Sequence, residues 1–391
     1  MLNLDRFRPV WAEINLDHLI HNIKEVRRIV RPETKICVVI KADAYGHGAR
    51  EIAEVLLDHG ADRLAVATLS EAIQLRRVYP DVQIMVLGYT TESCAEDVII
   101  HNIIQTVYSL EQAKQFSKIA QELNNHVVFH IKIDTGMSRL GFQATDETIM
   151  KIVEISKLPN TTIEGIFTHF AVADELDKNF TKKQYEKFIN LCNKLEDQNI
   201  KIPIKHVSNS AAIIDLPEMN LDMVRAGIML YGLYPSHEVH KSAVNLKQVL
   251  SLKAKISHVK DVSEKIGVSY GLKFVTEKPS QLATLPLGYA DGFTRMLTGK
   301  AEVLVKGSKV PVVGRICMDQ CMIDTSGLNV RRGDEVILLG TDGYNSISID
   351  DVAQKLETIN YEIICMIGKR VPRVYIKDNE ILRIKDHLLE I

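Results

Sequence analysis

The sequence predicts an α/β protein in which a (β/α)8 barrel of the TIM type is followed by a mainly β domain. Three observations predict it. Eight short β-branched runs alternate with amphipathic helical stretches between Lys35 and about Gly232. The alternation stops after Tyr234-Pro235. Beyond that point, short β-rich segments are separated by Gly, Lys-Gly or Asp-Gly turns. The expected boundary falls at residue 240, with the barrel over 1–240 and the β domain over 241–391.

In chain order, Val10 to Ile14 reads as a strand ahead of the barrel, and residues 1–14 are candidates to pair with the β domain. The eight barrel strands are Ile36 to Ile40, Leu64 to Ala67, Ile84 to Leu87, Ile103 to Val107, Val127 to Ile133, Ile163 to Thr168, Ile204 to Val207 and Met223 to Ile228. After the first of them Ala49, Ile52, Ala53, Leu56 and Leu57 recur at helical spacing and define one apolar face. In the second domain the expected strands are Val249 to Val259, Gln281 to Leu287, Ala301 to Val305, Val310 to Val313, Cys321 to Asp324 and Glu335 to Leu339. One helix, Ile349 to Leu356, has Ser348 or Asp350 as its cap.

Composition narrows the function. The chain has 391 residues, more than one hydrophobic core comfortably serves. Its 48 basic and 50 acidic residues leave a net charge of -2, which argues against nucleic acid or an anionic membrane as the main partner. The first nine residues lack the apolar core of a secretory signal, and no apolar run is long enough to span a bilayer, so a cytoplasmic location is expected. The six cysteines have no framework spacing and read as free thiols, and no metal site is expected because Cys317 and Cys321 lack partners at zinc spacing.

Chemistry concentrates at Lys41. It directly follows the apolar run Cys37-Val38-Val39-Ile40, so it emerges where a barrel keeps its active site. The plain alternative is a lysine that ends a strand in water. Against it stands Ala42-Asp43-Ala44-Tyr45-Gly46-His47-Gly48, which sets two glycines, a phenol and an imidazole at the strand end, a composition suited to backbone approaching a planar ligand. This segment resembles the pyridoxal phosphate attachment site of the alanine racemase family, in which the matching lysine holds the cofactor as an imine.

The resemblance implies where the other groups lie. A phosphate cradle is expected from His206-Val207-Ser208-Asn209-Ser210 after the seventh strand and Arg225-Ala226-Gly227-Ile228 at the eighth, with Asn209, Ser210, Gly227 and Ile228 as contacts; each segment alone reads as a helix cap or a packing concession. Tyr45 and Tyr361 match phosphate-contacting tyrosines. Arg225 sits inside an apolar strand, where the plain reading is an ion pair with a carboxylate. In the resembling family the matching arginine donates to the pyridine nitrogen, and because guanidinium keeps its protons the ring becomes a weaker electron sink than one facing an aspartate.

Racemisation requires a base on each face of a planar carbanion. The resemblance gives these roles to Lys41, as proton acceptor for D-alanine, and to Tyr270 in Val268-Ser269-Tyr270-Gly271, as proton acceptor for L-alanine. His169, at the end of strand six, is the expected mediator between Tyr270 and Arg225. Arg139 matches the residue that contacts the cofactor phenol and the substrate carboxylate, and Met318 and Asp319 match residues bordering the substrate pocket. Lys132 corresponds to a lysine carbamylated in some members; an intact mass showing an unmodified amine removes that hypothesis.

The matches cover nearly the whole chain in at least six separated motifs, with a departure at Gly368-Lys369, where a more polar, aromatic-bearing dipeptide is commoner. They imply a small-molecule amino-acid substrate, D-alanine production for peptidoglycan, and a head-to-tail homodimer with shared active sites. A serine or broad-specificity racemase uses the same residues, and a decarboxylase of the related barrel group fits Tyr270 and Arg225 less well. A non-catalytic pyridoxal phosphate carrier resembles the first domain alone, so the β domain speaks against it.

Overall fold

The computed structural model describes residues 6–389, so the first five of the N-terminal residues expected to pair with the β domain lie outside the described residues. The chain divides into two compact units. One contains Leu19–Ala44 and Ala49–Lys247; the other contains the chain up to His18, Tyr45–Gly48 and everything from Gln248.

Strands are numbered along the chain. After β1 (Val10–Asn15) come β2 (Lys35–Val39), β3 (Arg63–Val66), β4 (Ile84–Val86), β5 (Ile104–Val107), β6 (Val127–Asp134), the two-residue β7 (Phe142–Gln143), β8 (Thr161–Phe167), β9 (Ile204–His206) and β10 (Met223–Ala226). All but β1 and β7 form a parallel sheet in the order β10-β2-β3-β4-β5-β6-β8-β9. Main-chain hydrogen bonds from Asp222 to Lys205 (3.1 Å) and from Arg225 to Ser208 (3.0 Å) join its two ends, making the eight-stranded barrel that the alternation predicts. Each strand lies within two residues of its expected bounds.

Strands of such a barrel are covered on both faces, which is why they read as continuous apolar runs with little alternation. The helices supply the outer cover. In Ala49–Asp58, Ala49, Ile52, Ala53 and Leu56 are buried and Leu57, at the edge of the expected stripe, is only partly so. Leu110–Glu122 begins at Ser109, whose hydroxyl accepts from the Gln112 N–H, and buries Ala113, Phe116 and Ala120.

One irregularity matters for the interior. The pairing of β6 with β8 slips between Phe129, opposite Ile163, and His130, opposite Gly165, so Glu164 is an inserted residue. A Cβ on Gly165 would fall 2.4 Å from the His130 ring, so the bulge and the missing side chain together make room for that imidazole.

The other unit is built on β11 (Leu250–Lys255), β12 (His258–Val262), β13 (Gly267–Val268), β14 (Phe274–Val275), β15 (Ser280–Leu285), β16 (Glu302–Val305), β17 (Ser308–Val313), β18 (Cys321–Asp324), β19 (Glu335–Thr341), β20 (Ser346–Ile347), β21 (Arg373–Lys377) and β22 (Glu380–Lys385). Its main sheet runs β12-β15-β18-β17-β16-β19-β11-β1-β21-β22. β1 lies within it, antiparallel to β11 and parallel to β21.

The single run expected over Val249 to Val259 divides into β11 and β12. Ile256 donates to Asp334 whereas Ser257 donates to Thr284, so the chain changes partner strands at that step. The helix Ile349–Lys355 is capped by Ser348, in a reciprocal box with Asp351. The helix Asn360–Cys365 and the β21–β22 hairpin carry no periodicity that singled them out.

Candidate active site

Lys41 follows β2 and opens an unusual turn. Ala42, Asp43 and Ala44 have φ/ψ of 53/49, 52/49 and 54/50, and Tyr45 has φ 52. Consecutive non-glycine residues in the left-handed region cost about 1–2 kcal/mol each, so the surroundings must hold them there. Glu71 does part of this: its carboxylate accepts from the Ala42 N–H, and also from Ala67 and Thr68 as part of the capping box of the helix Leu69–Arg76. The Asp43 carboxylate accepts from Ala49 N–H at 2.8 Å, and Ala44 N–H reaches the Ile40 carbonyl at 2.9 Å. Nothing in Ala-Asp-Ala-Tyr signals this conformation, since the same residues form right-handed helices readily.

Inside the barrel the buried Arg225 guanidinium is held without a carboxylate partner among the described residues, which overturns the ion-pair alternative. Nη1 donates to His206 Nδ1 (2.8 Å) and the His206 carbonyl (3.1 Å); Nη2 donates to the carbonyls of Thr168 (2.8 Å) and Val207 (2.9 Å) and to His169 Nδ1 (3.2 Å). No hydrogen bond from Nε is found among the described residues. Burial lowers its pKa to about 10, with Arg139 adding to the effect, so Arg225 remains a cation at neutral pH.

Arg225 and Lys132 lie 5.3 Å and 5.1 Å from the centroid of the Phe167 ring, which stacks on His206 at 4.6 Å. Burial first, then Arg225 and Arg139, lower Lys132 to about 7. The partly buried His169 is pushed well below the ordinary range by desolvation and by Arg225, Lys132, Arg139 and Lys41 in that order. Because Arg225 only donates, His169 Nδ1 must be the acceptor, and the proton of the neutral ring sits on Nε2. Arg139 itself is exposed on the loop after β6.

The two small-residue segments meet. Ser210 Oγ accepts from Gly227 N–H at 3.0 Å and lies 3.5 Å from Met229 N. Ile228 opens the one-turn helix Ile228–Tyr231, so its N–H has no partner within that helix. Asn209 caps the helix Ser210–Asp215 through Ala212 N–H.

The other unit holds the remaining candidates. Tyr45 is buried, and its ring centre lies 6.2 Å from that of Tyr361, so these two tyrosines are brought together. Two residues of β21 hold the adjoining segment: buried Arg373 donates to the carbonyls of Gly46, Ile367, Gly368 and Val371, and Tyr375 donates to that of His47. Gly46 has φ +83, and a Cβ there would lie 2.6 Å from the Ile364 carbonyl oxygen.

Tyr270 stands on a strained turn between β13 and β14. Ser269 has φ 65 and ψ -175, Gly271 φ 71 and Leu272 φ 45, and the Ser269 hydroxyl donates to the Arg315 carbonyl at 2.6 Å. The tyrosine is 70% exposed. Met318 is also exposed, and Asp319 pairs with Arg370 at 2.8 Å.

These groups fit pyridoxal phosphate by the chemistry of their donors. An amine emerges at a strand end, the Arg225 Nε–H is uncommitted within the described chain, and a hydroxyl and a helix-opening N–H converge after the last two strands. With a tyrosine on the β unit as a second candidate base, these groups are the set that a barrel-type racemase requires. The chain belongs to the alanine racemase family, whose N-terminal domain model matches residues 14–235 and whose C-terminal domain model matches residues 249–375. It is 52% identical to the alanine racemase of Clostridium tetani, over 97% of this chain and 99% of that one. It is 53% identical to that of Methanococcus maripaludis, over 94% and 99%. The solved alanine racemase of Clostridium difficile 630 superposes with a TM-score of 0.95 at 48% identity, covering 97% of this chain and 99% of that one. Among the described residues no helix is long and apolar enough to cross a membrane.

Proposed function

We propose that this chain interconverts L- and D-alanine, supplying D-alanine for peptidoglycan in the cytoplasm, with pyridoxal phosphate on Lys41. The observation that carries the reading is Arg225: a buried guanidinium that has, among the described residues, neither a carboxylate partner nor a hydrogen bond from Nε, and that acts with Lys41 on the His169 ring. Bound there, pyridoxal phosphate supplies the electron-withdrawing ring that makes an amino acid's Cα–H removable.

The chain's own residues divide the remaining work. Ser210 and the N–H of Ile228, with Asn209 and Gly227, would hold the phosphate, and Tyr45 and Tyr361 would be its further contacts. Arg225 stays protonated and would donate to the ring nitrogen without surrendering its proton, which would limit electron withdrawal and disfavour side reactions. Arg139 would orient the substrate carboxylate, and Met318 and Asp319 would border the substrate pocket. Lys41 Nζ takes the proton from D-alanine and Tyr270 Oη takes it from L-alanine, with His169 linking Tyr270 to Arg225. At a pKa of about 7 Lys132 offers the neutral amine that carbamate formation needs, and the resulting anion would hold Arg139.

The test is to incubate the purified protein with L-alanine and, separately, L-serine in heavy water, following optical rotation and deuterium at Cα. Rapid loss of rotation with alanine alone is expected. Equal rates with serine transfer the reading to a broad racemase, and no exchange with either overturns it.

The exposed position of Tyr270 suits delivery to the barrel of a second copy, in a head-to-tail homodimer with two shared sites. Mixing inactive Lys41→Ala and Tyr270→Phe proteins is then expected to restore about a quarter of wild-type activity, since half of random dimers are mixed and each carries one intact site. No restoration after subunit exchange would place both bases in one chain.

A further inference from the structure

The barrel interior contains a second set of buried polar groups that the reaction does not use. Beyond Arg225, His206 Nε2 lies 2.9 Å from His130 Nδ1, and His130 Nε2 lies 2.9 Å from Glu164 Oε2. Glu164 in turn receives both terminal nitrogens of Arg63, at 2.6 and 2.9 Å. His130 and His206 are fully buried, and Arg225 and Arg63 are buried. The chain of contacts passes from β10 through β9 and β6 to the bulge of β8, and then across the barrel to β3, four places away in the strand order.

Only one arrangement of protons satisfies every link. A carboxylate only accepts, so His130 must carry its proton on Nε2. A neutral imidazole has one N–H, so His130 Nδ1 is bare and accepts from His206 Nε2–H. His206 Nδ1 is therefore bare as well, and it meets a guanidinium that only donates. The two charged ends demand the same tautomers, and both histidines have their pKa values lowered, burial being the largest cause for each.

We infer that Glu164 and Arg63 are positioning residues for Arg225: the carboxylate, fixed by Arg63, locks the tautomers of His130 and His206 and so keeps an acceptor aimed at the guanidinium. This rests on the reading of Arg225 as the ring-nitrogen partner. A different tautomer of His206 would set N–H against N–H and displace Arg225, although Glu164 lies three hydrogen bonds from that guanidinium. The inserted Glu164 and the bare Gly165 are the local device, because without the bulge that carboxylate would not fall beside His130.

The test uses nitrogen-15 NMR of histidine-labelled, cofactor-free protein, together with the pyridoxal phosphate dissociation constant. In the wild type both His130 and His206 are expected as neutral Nε2–H tautomers; a protonated ring or an Nδ1–H tautomer at either overturns the proposal before any variant is made. Glu164→Gln offers one acceptor in place of two and is expected to mix the tautomers of both histidines. Because Glu164 acts through three successive hydrogen bonds, the substitution should weaken cofactor binding and lower kcat by about tenfold, the low end of the scale known for groups that orient a metal ligand, with KM nearly unchanged. His206→Asn, which keeps an acceptor toward Arg225, should hold the cofactor more tightly than His206→Leu. Unaltered tautomers in Glu164→Gln, or altered tautomers with an unchanged dissociation constant, would refute the positioning role. Failure of the wild type to bind the cofactor or racemise alanine would refute the proposed function and leave the tautomer result standing.

Discussion

Tyr270→Phe is expected to slow removal of the Cα proton from L-alanine by about 10²–10⁴-fold, the range that a positioned general base contributes. Proton removal from D-alanine, assigned to Lys41, should fall far less. Net racemisation cannot reveal this difference, because the equilibrium between enantiomers ties the two directions together. Deuterium incorporation into unreacted L-alanine and unreacted D-alanine, measured separately, does reveal it. The ring is 70% exposed in the single chain, so its hydroxyl contributes little to the folding of that chain. Equal residual exchange from both enantiomers would count against two opposed bases.

A steep loss of stability below neutral pH is the second large effect. His130, His169 and His206 all have pKa values lowered, chiefly by burial and, for His169 and His206, next by the Arg225 cation. In the unfolded chain each takes up a proton near pH 6.5, so below that value the unfolded state binds more protons and stability falls with pH. Each histidine adds up to about 1.4 kcal/mol per pH unit until its own folded value is reached, so the loss is steepest where all three are still neutral in the folded chain. Glu164 acts later in the same direction. Burial alone would raise it, but the hydrogen bonds from His130 and Arg63 outweigh this and bring it to about 2, so its contribution is lost between roughly pH 4.3 and 2. Urea midpoints between pH 7.5 and 5.5 check the prediction, and a midpoint independent of pH over that interval would contradict the neutral, buried histidines.

Much of this site was legible before any coordinates. Lys41, Arg225 and the Asn209-Ser210 and Gly227-Ile228 segments were marked by residue types out of place, such as charges within apolar strands and small polar residues after the last two strands. The Lys41 turn was not, because its left-handed backbone is imposed by Glu71, Asp43 and the neighbouring chain and runs against the right-handed preference of its residues. Glu164, His130 and Arg63 were passed over for a different reason. Each looks ordinary in its own segment, and the β-bulge that turns Glu164 toward His130 leaves no trace in a two-residue alternation.

By itself, then, the sequence determined the eight-unit barrel, the β unit after it, and the amine and guanidinium on which the reading depends. These follow from periodicity and from local anomalies of charge, which a linear string carries. Only the tertiary structure decided which polar groups meet: His130 with a histidine 76 residues away, Arg63 with a carboxylate 101 residues away, and Arg373 with the Gly46 carbonyl 327 residues away. Buried donors and acceptors must find partners, and which ones they find is fixed by barrel closure and strand register, quantities that no local pattern encodes.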